Sequence, residues 1–308
     1  MPPSKTFPTG LQYLPRDAPL DDILHLMKRD GAVVVRDVVS HSDLDKSYEE
    51  IKPTLEADAE WDGEFFPKET KRANGLIGIS PTYVSSQLMH PLFQELSNHF
   101  LTTRSTYWWG DKKKESVSLP YVTSTVAIQV GPGARAQPLH CDSYIGHRVV
   151  DAIEQWDDER DLGRRETSIG MFVAGCEVYR ENGGTQVILG SHLWSSCPST
   201  PPPESQIINP HLQKGDAFFM LTSLVHGGGN NTTKDVQRLV WCTFATRGFL
   251  RQEENQFLAV PQEAVKKYDR AAQKFTGYYV SDPACGVVDQ RDPIYVLYPE
   301  EVGSHGGF

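Results

Sequence analysis

The chain is short of three things, and each shortage removes a class of protein. Cysteine is scarce: five in 308 residues, an odd number, widely spaced and with no CxxC pair. Cys141, Cys176, Cys197, Cys242 and Cys285 therefore read as reduced thiols of a cytoplasmic protein, not as a disulfide framework or a zinc ribbon. Positive charge is outnumbered, 30 Lys and Arg against 40 Asp and Glu, for a net charge of −10. That balance leaves no electrostatic footprint for nucleic acid, and the one basic run, "DKKKES" at 111–116, reads as a solvated loop. Long apolar runs are missing as well. None approaches the roughly 18 residues a membrane span needs, and the opening "MPPSKTFPTGLQYLPRD" has no apolar core of a secretory signal. The final "EEVGSHGGF" carries no lipidation or peroxisomal signal. The sequon-like "NNTT" at 230–233 is accordingly expected to stay unused.

What is present describes a globular protein. Hydrophobic residues make up 39% of the chain and charged ones 23%, enough for a sizeable core under an ordinary surface. "PLDDILHLMKRDG" (19–31) predicts a helix with acidic residues in its first turn and Gly31 at its end. "AVVVRDVV" (32–39) predicts a strand. A second helix is expected from a cap near Ser42, bent or ended near Pro53, and a third over 91–102. The centre then turns β-rich. "SLPYVTSTVAIQVGPG", "TSIGMFVAG", "GGTQVILGSH", "GDAFFMLTSLVHGGG" and "QRLVWCTFATRG" are strand-like runs bounded by turn formers, as in a β-sandwich or barrel. Helical spacing returns over 261–275. The Pro-rich "SSCPSTPPPESQ" (195–206) is too short for a linker and reads as a surface loop. One domain over 1–308 is expected: mainly β with flanking helices, the β core at about 118–250 and helices from 19–102 and 261–275.

The chemistry centres on "ARAQPLHCDSYIGH" (134–147). On a strand, His140 and Asp142 would project from the same face and present an imidazole and a carboxylate to one point. A facial triad needs a second histidine from elsewhere. His147 would need a tight reversal, His192 follows a strand, and His211 lies outside any clear strand. His226 ends the apolar run that begins at Gly215-Asp216, and it is followed by "GGG", as suits a ligand at a barrel mouth. A strand-end histidine bonded to a backbone carbonyl is the bland alternative. Arg238 then opens the next strand, and alternation sets it with Val240, Cys242 and Phe244. If that face is interior, the buried guanidinium needs an anion, and no acidic residue nearby supplies one. A bound dicarboxylate would. A His/Asp/His site leaves three positions open on iron(II), two for a chelating 2-oxo acid and one for dioxygen.

These residues carry a resemblance. "AQPLHCD", "ENGGTQVILGSHLW", "KGDAFFMLTSLVHGGGNNTT" and the Arg238 strand resemble the phytanoyl-CoA dioxygenase-like family of non-haem iron(II), 2-oxoglutarate-dependent oxygenases, from about residue 20 to about 260. Within it the chain looks most like fungal enzymes that oxidise alkaloids and meroterpenoids. "TRGFLRQEENQFLAVP" (246–261) and "TKRANGLIGISP" (70–81) resemble the ergot-alkaloid branch. The resemblance implies a double-stranded β-helix (a jelly roll, cupin-like), with His140, Asp142 and His226 as iron ligands. It further implies Arg238 on the distal carboxylate of 2-oxoglutarate, with Gln137 and Thr185 near that co-substrate. Gln137 has the wrong parity for His140 and can join the site only if the backbone bends at Pro138. Cys141 stands where an arginine-like residue is commoner; alternation points it away from the metal.

The expected reaction is oxidation of a bulky, largely apolar small molecule, by hydroxylation, desaturation or oxidative cyclisation, with O2 consumed and succinate and CO2 released. Phe65, Phe66, Arg72, Tyr144 and Trp194 are candidate substrate walls, chosen for aromatic or cationic character beside the motifs. A homodimer is expected, with Phe249, Leu250, Phe257 and Leu258 covered by a partner or by the subunit's own helices. Two rival readings share the fold. One is a cupin-like zinc or manganese protein without oxygenase activity, which would have no evident need to bury Arg238. The other is a non-enzymatic binding module using Tyr107, Trp108, Trp109 and Trp194.

Overall fold

The structure, a computed structural model, describes residues 9–158, 165–196 and 200–301. A seven-stranded sheet forms its frame. The chain order of strands is β1 (Tyr13–Leu14), β2 (Ala32–Val35), β3 (Thr70–Asn74), β4 (Thr103–Trp109), β5 (Lys112–Ser118), β6 (Tyr121–Val130), β7 (Ser168–Ala174), β8 (Gln186–Val187), β9 (Ala217–Leu221), β10 (His226–Gly227) and β11 (Arg238–Thr246). The large sheet runs β1-β2-β9-β7-β11-β6-β3, antiparallel except for β1 beside β2. A small sheet of β10 and β8, extended by single bridges from His140 to His226 and from Ile208 to Val187, lies apart from it.

Side-chain parity explains why the large sheet sits in the middle. Val33, Val35, Ile169, Met171, Val173, Phe219, Leu221 and Trp241 pack in the core shared with the helices. Their even-numbered neighbours Val34, Phe172, Ala174, Phe218, Met220, Val240 and Cys242 pack in a second cluster with Val178, Val187 and Leu212. Both faces are buried, so "AVVV" and "AFFML" read as continuous apolar runs instead of alternating ones. Arg238 and Trp241 are consequently both interior, on opposite faces of β11. Trp241 is fully buried and stacks on Tyr83 with 6.0 Å between ring centroids. Truncation of such a residue to Ala costs about 3–5 kcal/mol.

The helices cover the outer face. Helix α1 (Leu20–Asp30) ends as expected at Gly31, whose φ of 81° lets its N–H close back on Met27. A side chain at Gly31 would also collide with the His192 ring, its Cβ 2.6 Å from Nδ1. Helix α2 (His41–Ala57) is capped by Ser40, not Ser42: the Ser40 hydroxyl accepts from the Asp43 N–H at 3.1 Å. Pro53 lies inside α2 without ending it. A helix over Pro91–Leu101 stands where it was expected.

Several expectations are corrected. The basic run is no loop: Lys112–Lys114 belong to β5, paired with β4 across a tight turn at Gly110, whose φ is 61°. The 261–275 segment is two short helices, Gln262–Val265 and Arg270–Thr276, because the Asp269 carboxylate caps the second by accepting from the Ala272 N–H. The run ending at His226 is likewise two strands. β9 ends at Leu221, a turn closes through Leu224 N–H to the Leu221 carbonyl, and β10 begins in the other sheet. The buried Glu166 carboxylate accepts from the hydroxyls of Thr222 (3.1 Å) and Ser223 (2.5 Å) at that crossing. This switch delivers His226 to the cavity. Of the Pro-rich loop, 197–199 lie outside the described residues.

Candidate metal centre and substrate cavity

His140 and Asp142 do not share a regular strand. His140 makes a single antiparallel bridge with His226, Cys141 is extended, and Asp142 opens a 3-10 turn over Asp142–Gly146. The extended Cys141 nonetheless sets residues 140 and 142 on one side, so the same-face prediction holds locally. Asp142 Oδ1 lies 3.4 Å from His140 Nε2, and its Oδ2 lies 3.4 Å from His226 Nε2. One nitrogen or oxygen from each of the three comes within 4.8 Å of the others. Each imidazole turns its other nitrogen to a carbonyl: His140 Nδ1 to Pro138 at 2.8 Å and His226 Nδ1 to Leu224 at 2.9 Å. A carbonyl only accepts, so Nδ1 carries a proton, and Nε2, once its own proton leaves, presents a lone pair on Asp142's side. That is the arrangement a histidine needs to ligate a metal through Nε2. Burial alone would raise the Asp142 carboxyl, but the imidazoles of His226 and His140 outweigh it and hold it well below the usual carboxylate range. Burial likewise lowers His140, and Asp142 more than restores it, for a net rise.

The triad lines a cavity whose empty space, counting its open mouth, is about 890 Å³. Ser124, Val126, Ile128 and Val130 of β6, Phe172 of β7, and Arg238, Cys242 and Phe244 of β11 form its floor. Phe65 and Phe66 close over it, Phe65 edge-on to His140 at 5.2 Å between ring centroids. Arg238 is the group without a match. It is 5% exposed, one terminal nitrogen donates to the Gly183 carbonyl at 2.8 Å, and Nε has no partner. Burial lowers its pKa; the thiols of Cys242 and Cys176 oppose this, and no carboxylate among the described residues does. A buried guanidinium with a free N–H and no carboxylate is the receptor a dicarboxylate co-substrate requires. The donor set and this orphaned nitrogen together fit an iron(II) ion with 2-oxoglutarate.

Gln137 joins the cavity by the bend that its parity demanded. Continued regularly from His140 opposite His226, the ladder would set Pro138 opposite Gly228, but proline has no N–H to give. The Gln137 N–H bonds the Gly228 carbonyl instead, at 2.8 Å, and its Oε1 accepts from the Gly228 N–H at 2.7 Å. The slip turns Gln137 inward. Thr185 also lines the cavity, beside Gly183 and Gly184. Gly229 must be glycine, since a Cβ there would lie 2.5 Å from the Gly184 carbonyl.

Three expected wall residues are elsewhere. Arg72 is buried against Asp58, Nε to Oδ2 at 3.1 Å, with its guanidinium over the rings of Trp61 and Phe66. It supports Phe66 from behind and does not line the cavity. Tyr144 stands 61% exposed on the 3-10 turn, since each step along such a turn rotates a side chain by about a third of a circle away from Asp142. Trp194 is half-buried at the end of the Ser191–Leu193 turn, its carbonyl accepting from Arg165. Two of the other candidate histidines have partners of their own: His192 is buried and bonds the Lys28 carbonyl, and His211 pairs with Glu177 on the surface. Tyr107, Trp108 and Trp109, the aromatics of the binding-module alternative, lie on the β4–β5 hairpin and not on the cavity.

Sequence reasoning missed Phe172, Arg135 and Glu253 on the lining. Phe172 was recoverable from its even parity on β7. Glu253 was not, because nothing in "QEEN" separates it from Glu254. Burial, then the charges of Asp142 and Glu254, pushes the Glu253 carboxyl up to about 7.

The arrangement defines a class: a non-haem iron enzyme that uses 2-oxoglutarate and dioxygen. The chain belongs to the phytanoyl-CoA dioxygenase family, whose model it matches over residues 27–239. It is 35% identical to dioxygenase himG of Aspergillus japonicus over 283 residues, 89% of this chain and 86% of that one. It is 32% identical to dioxygenase peniF of Penicillium patulum over 296 residues, 96% of this chain and 94% of that one. Among solved structures it is similar to the α-ketoglutarate-dependent epimerase SnoN of nogalamycin biosynthesis, with a TM-score of 0.53 and 17% identity, over 78% of this chain and 88% of that one. HygX from Streptomyces hygroscopicus, solved with nickel, 2-oxoglutarate and hygromycin B, gives 0.53 and 15% over 75% and 88%. These two likenesses establish the fold as the double-stranded β-helix. The protein is a 2-oxoglutarate-dependent dioxygenase.

Proposed function

We propose that His140 Nε2, Asp142 and His226 Nε2 hold iron(II), and that Arg238 holds the distal carboxylate of 2-oxoglutarate, with Gln137 and Thr185 beside it. The metal, when bound, supplies the site at which dioxygen and the 2-oxo acid meet. The chain's own residues do the rest. Pro138 and Leu224 carbonyls fix the two imidazoles, Arg238 orients the co-substrate from the cavity floor, and Phe65 and Phe66 shield the centre from water. The substrate is a bulky, largely apolar small molecule of specialised metabolism, seated against Phe65, Phe66, Phe172 and Phe244. Arg72, Tyr144 and Trp194 act at most indirectly. The observation that carries the reading is Arg238, a buried guanidinium whose Nε has no partner, on the lining of the cavity that holds the triad. A zinc or manganese protein with other chemistry would have no use for it.

Two further assignments support a cytoplasmic homodimer. No helix among the described residues is long and apolar enough to cross a membrane, and Cys141, Cys176, Cys242 and Cys285 are free. Phe249, Phe257 and Leu258 are exposed by 47%, 45% and 84%. A second subunit is the cover we propose for them. The co-substrate assignment is tested by calorimetric titration of 2-oxoglutarate into anaerobic protein. Binding strengthened by iron(II) is expected; absence of binding with and without metal would contradict it.

A further inference from the structure

A second chamber adjoins the first, and Asp142, Phe244 and Glu253 line both. Glu253 is therefore at the junction, on the metal side of the cavity. Solvent reaches it, and its carboxylate makes no hydrogen bond or ion pair among the described residues; the charges that act on it, from Asp142 and Glu254, are both negative. Of the cations on the two chambers, Arg238 donates to Gly183, Arg135 donates to the Glu64 carbonyl, and Arg251, on the second chamber, is not among the charges that act on the Glu253 carboxyl.

The carboxylate is also held in place. Gln252 Nε2 donates to the carbonyls of Val122 (2.8 Å) and Thr276 (3.0 Å). The Glu253 N–H donates to Thr123 Oγ1 at 2.8 Å, and the Glu254 N–H to the Thr123 carbonyl at 2.9 Å. Glu254 spends its own carboxylate on the Gly75 N–H and on Gln256, each at 2.7 Å. Three consecutive residues are thus pinned to β6 and its neighbours, and only the middle one sends a free acid into the cavity. A loop fixed on both sides of an unpaired carboxylate holds it preorganised for a ligand, with little ordering entropy left to lose.

We propose that Glu253 is a specificity residue that binds a protonated amine of the substrate, beside the ring of Phe244. An ammonium supplies both the missing positive charge and the missing donors, and an aromatic face next to the carboxylate favours a cation further. The substrate class is thereby an apolar, partly aromatic or polycyclic body carrying a basic nitrogen. The inference rests on the reading of this cavity as the substrate chamber of an oxygenase.

Three probes of one size and different charge test it: 3-phenylpropylamine, 3-phenylpropan-1-ol and 3-phenylpropionate. Their affinities are measured by calorimetry at pH 8 for the anaerobic iron(II)–2-oxoglutarate protein and for Glu253→Gln, which keeps the shape and removes the charge. The wild-type protein should bind the amine about tenfold or more tightly than the alcohol, and the carboxylate most weakly. Glu253→Gln should lose the preference for the amine while its affinity for the alcohol stays within about threefold. No preference for the amine in the wild type, or the same preference in Glu253→Gln, would overturn the proposal. The oxygenase reading is judged separately, by succinate release from wild-type protein without any amine.

Discussion

The backbones of His140 and His226 bond each other in both directions, N–H to carbonyl at 2.8 Å each way. The two metal-facing imidazoles are thus a directly opposed pair in a ladder, and their ring centroids lie 4.6 Å apart. The chain fixes the distance between two ligands with main-chain bonds, before any metal is bound. Asp142 then needs only the extended Cys141 to reach both.

Replacement of His140, Asp142 or His226 by Ala should abolish 2-oxoglutarate turnover, by more than about 100-fold, since loss of even a supporting group at a metal site costs 10–100-fold. Circular dichroism should show the fold intact, because the main-chain pairing does not depend on the rings. A His226→Ala protein with full activity would remove the triad.

Arg238→Ala should raise the 2-oxoglutarate requirement by about 100-fold, the order expected when one partner of a buried charge pair is removed. Arg238→Lys should recover only part, because an ammonium cannot reproduce the planar fork. In thermal melts with iron(II) present throughout, added 2-oxoglutarate should further stabilise the wild-type protein and leave Arg238→Ala nearly unmoved at the same concentration. Equal stabilisation of both proteins would defeat the assignment.

His192 gives a pH dependence that owes nothing to the metal. Burial pushes its pKa down from 6.5 to about 4, against the hydrogen bond to the Lys28 carbonyl. The folded state favours the neutral ring, so this contribution is complete above pH 6.5 and is lost as the pH falls toward 4. It amounts to at most about 3 kcal/mol. Chemical denaturation at pH 7, 6 and 5 should show a steeper loss of stability for the wild type than for His192→Gln. Parallel slopes would place the acid sensitivity elsewhere.

The exposed Phe249, Phe257 and Leu258 lie together in sequence beyond β11, and Phe257 meets Tyr278 with 5.1 Å between ring centroids. If a second subunit covers them, light scattering at micromolar protein should give about twice the 34.5 kDa chain mass. A monomer at that concentration would refute the dimer.

Much of this architecture was legible in the sequence, and the exceptions have physical causes. The strands over Tyr121–Val130, Ser168–Ala174 and Arg238–Thr246 follow from β-branched and aromatic runs between turn formers. The placement of Arg238 and Cys242 on one face follows from period-two alternation. His226 was found for a partly mistaken reason: residues 215–226 read as one strand, yet a turn moves the chain between sheets at Thr222–Leu224. Local propensity cannot reveal a crossing held by the distant Glu166. Arg72 was misplaced for a related reason. Its partner Asp58 is fourteen residues away in sequence, and nothing local says whether a cation faces a cavity or a carboxylate. Gln137 was the reverse case, since the missing N–H of Pro138 already contained the slip that turns it inward.

The central claim is that this cavity couples iron(II) and 2-oxoglutarate to the reduction of dioxygen. It is tested most directly by stripping the protein of metal, restoring iron(II) with ascorbate, and measuring succinate formed from 2-oxoglutarate in air. Succinate should appear with iron(II), fail to appear with zinc(II), and disappear in Arg238→Ala at low 2-oxoglutarate. Protein that binds iron(II) and 2-oxoglutarate yet forms no succinate, with or without apolar amines, would contradict the account.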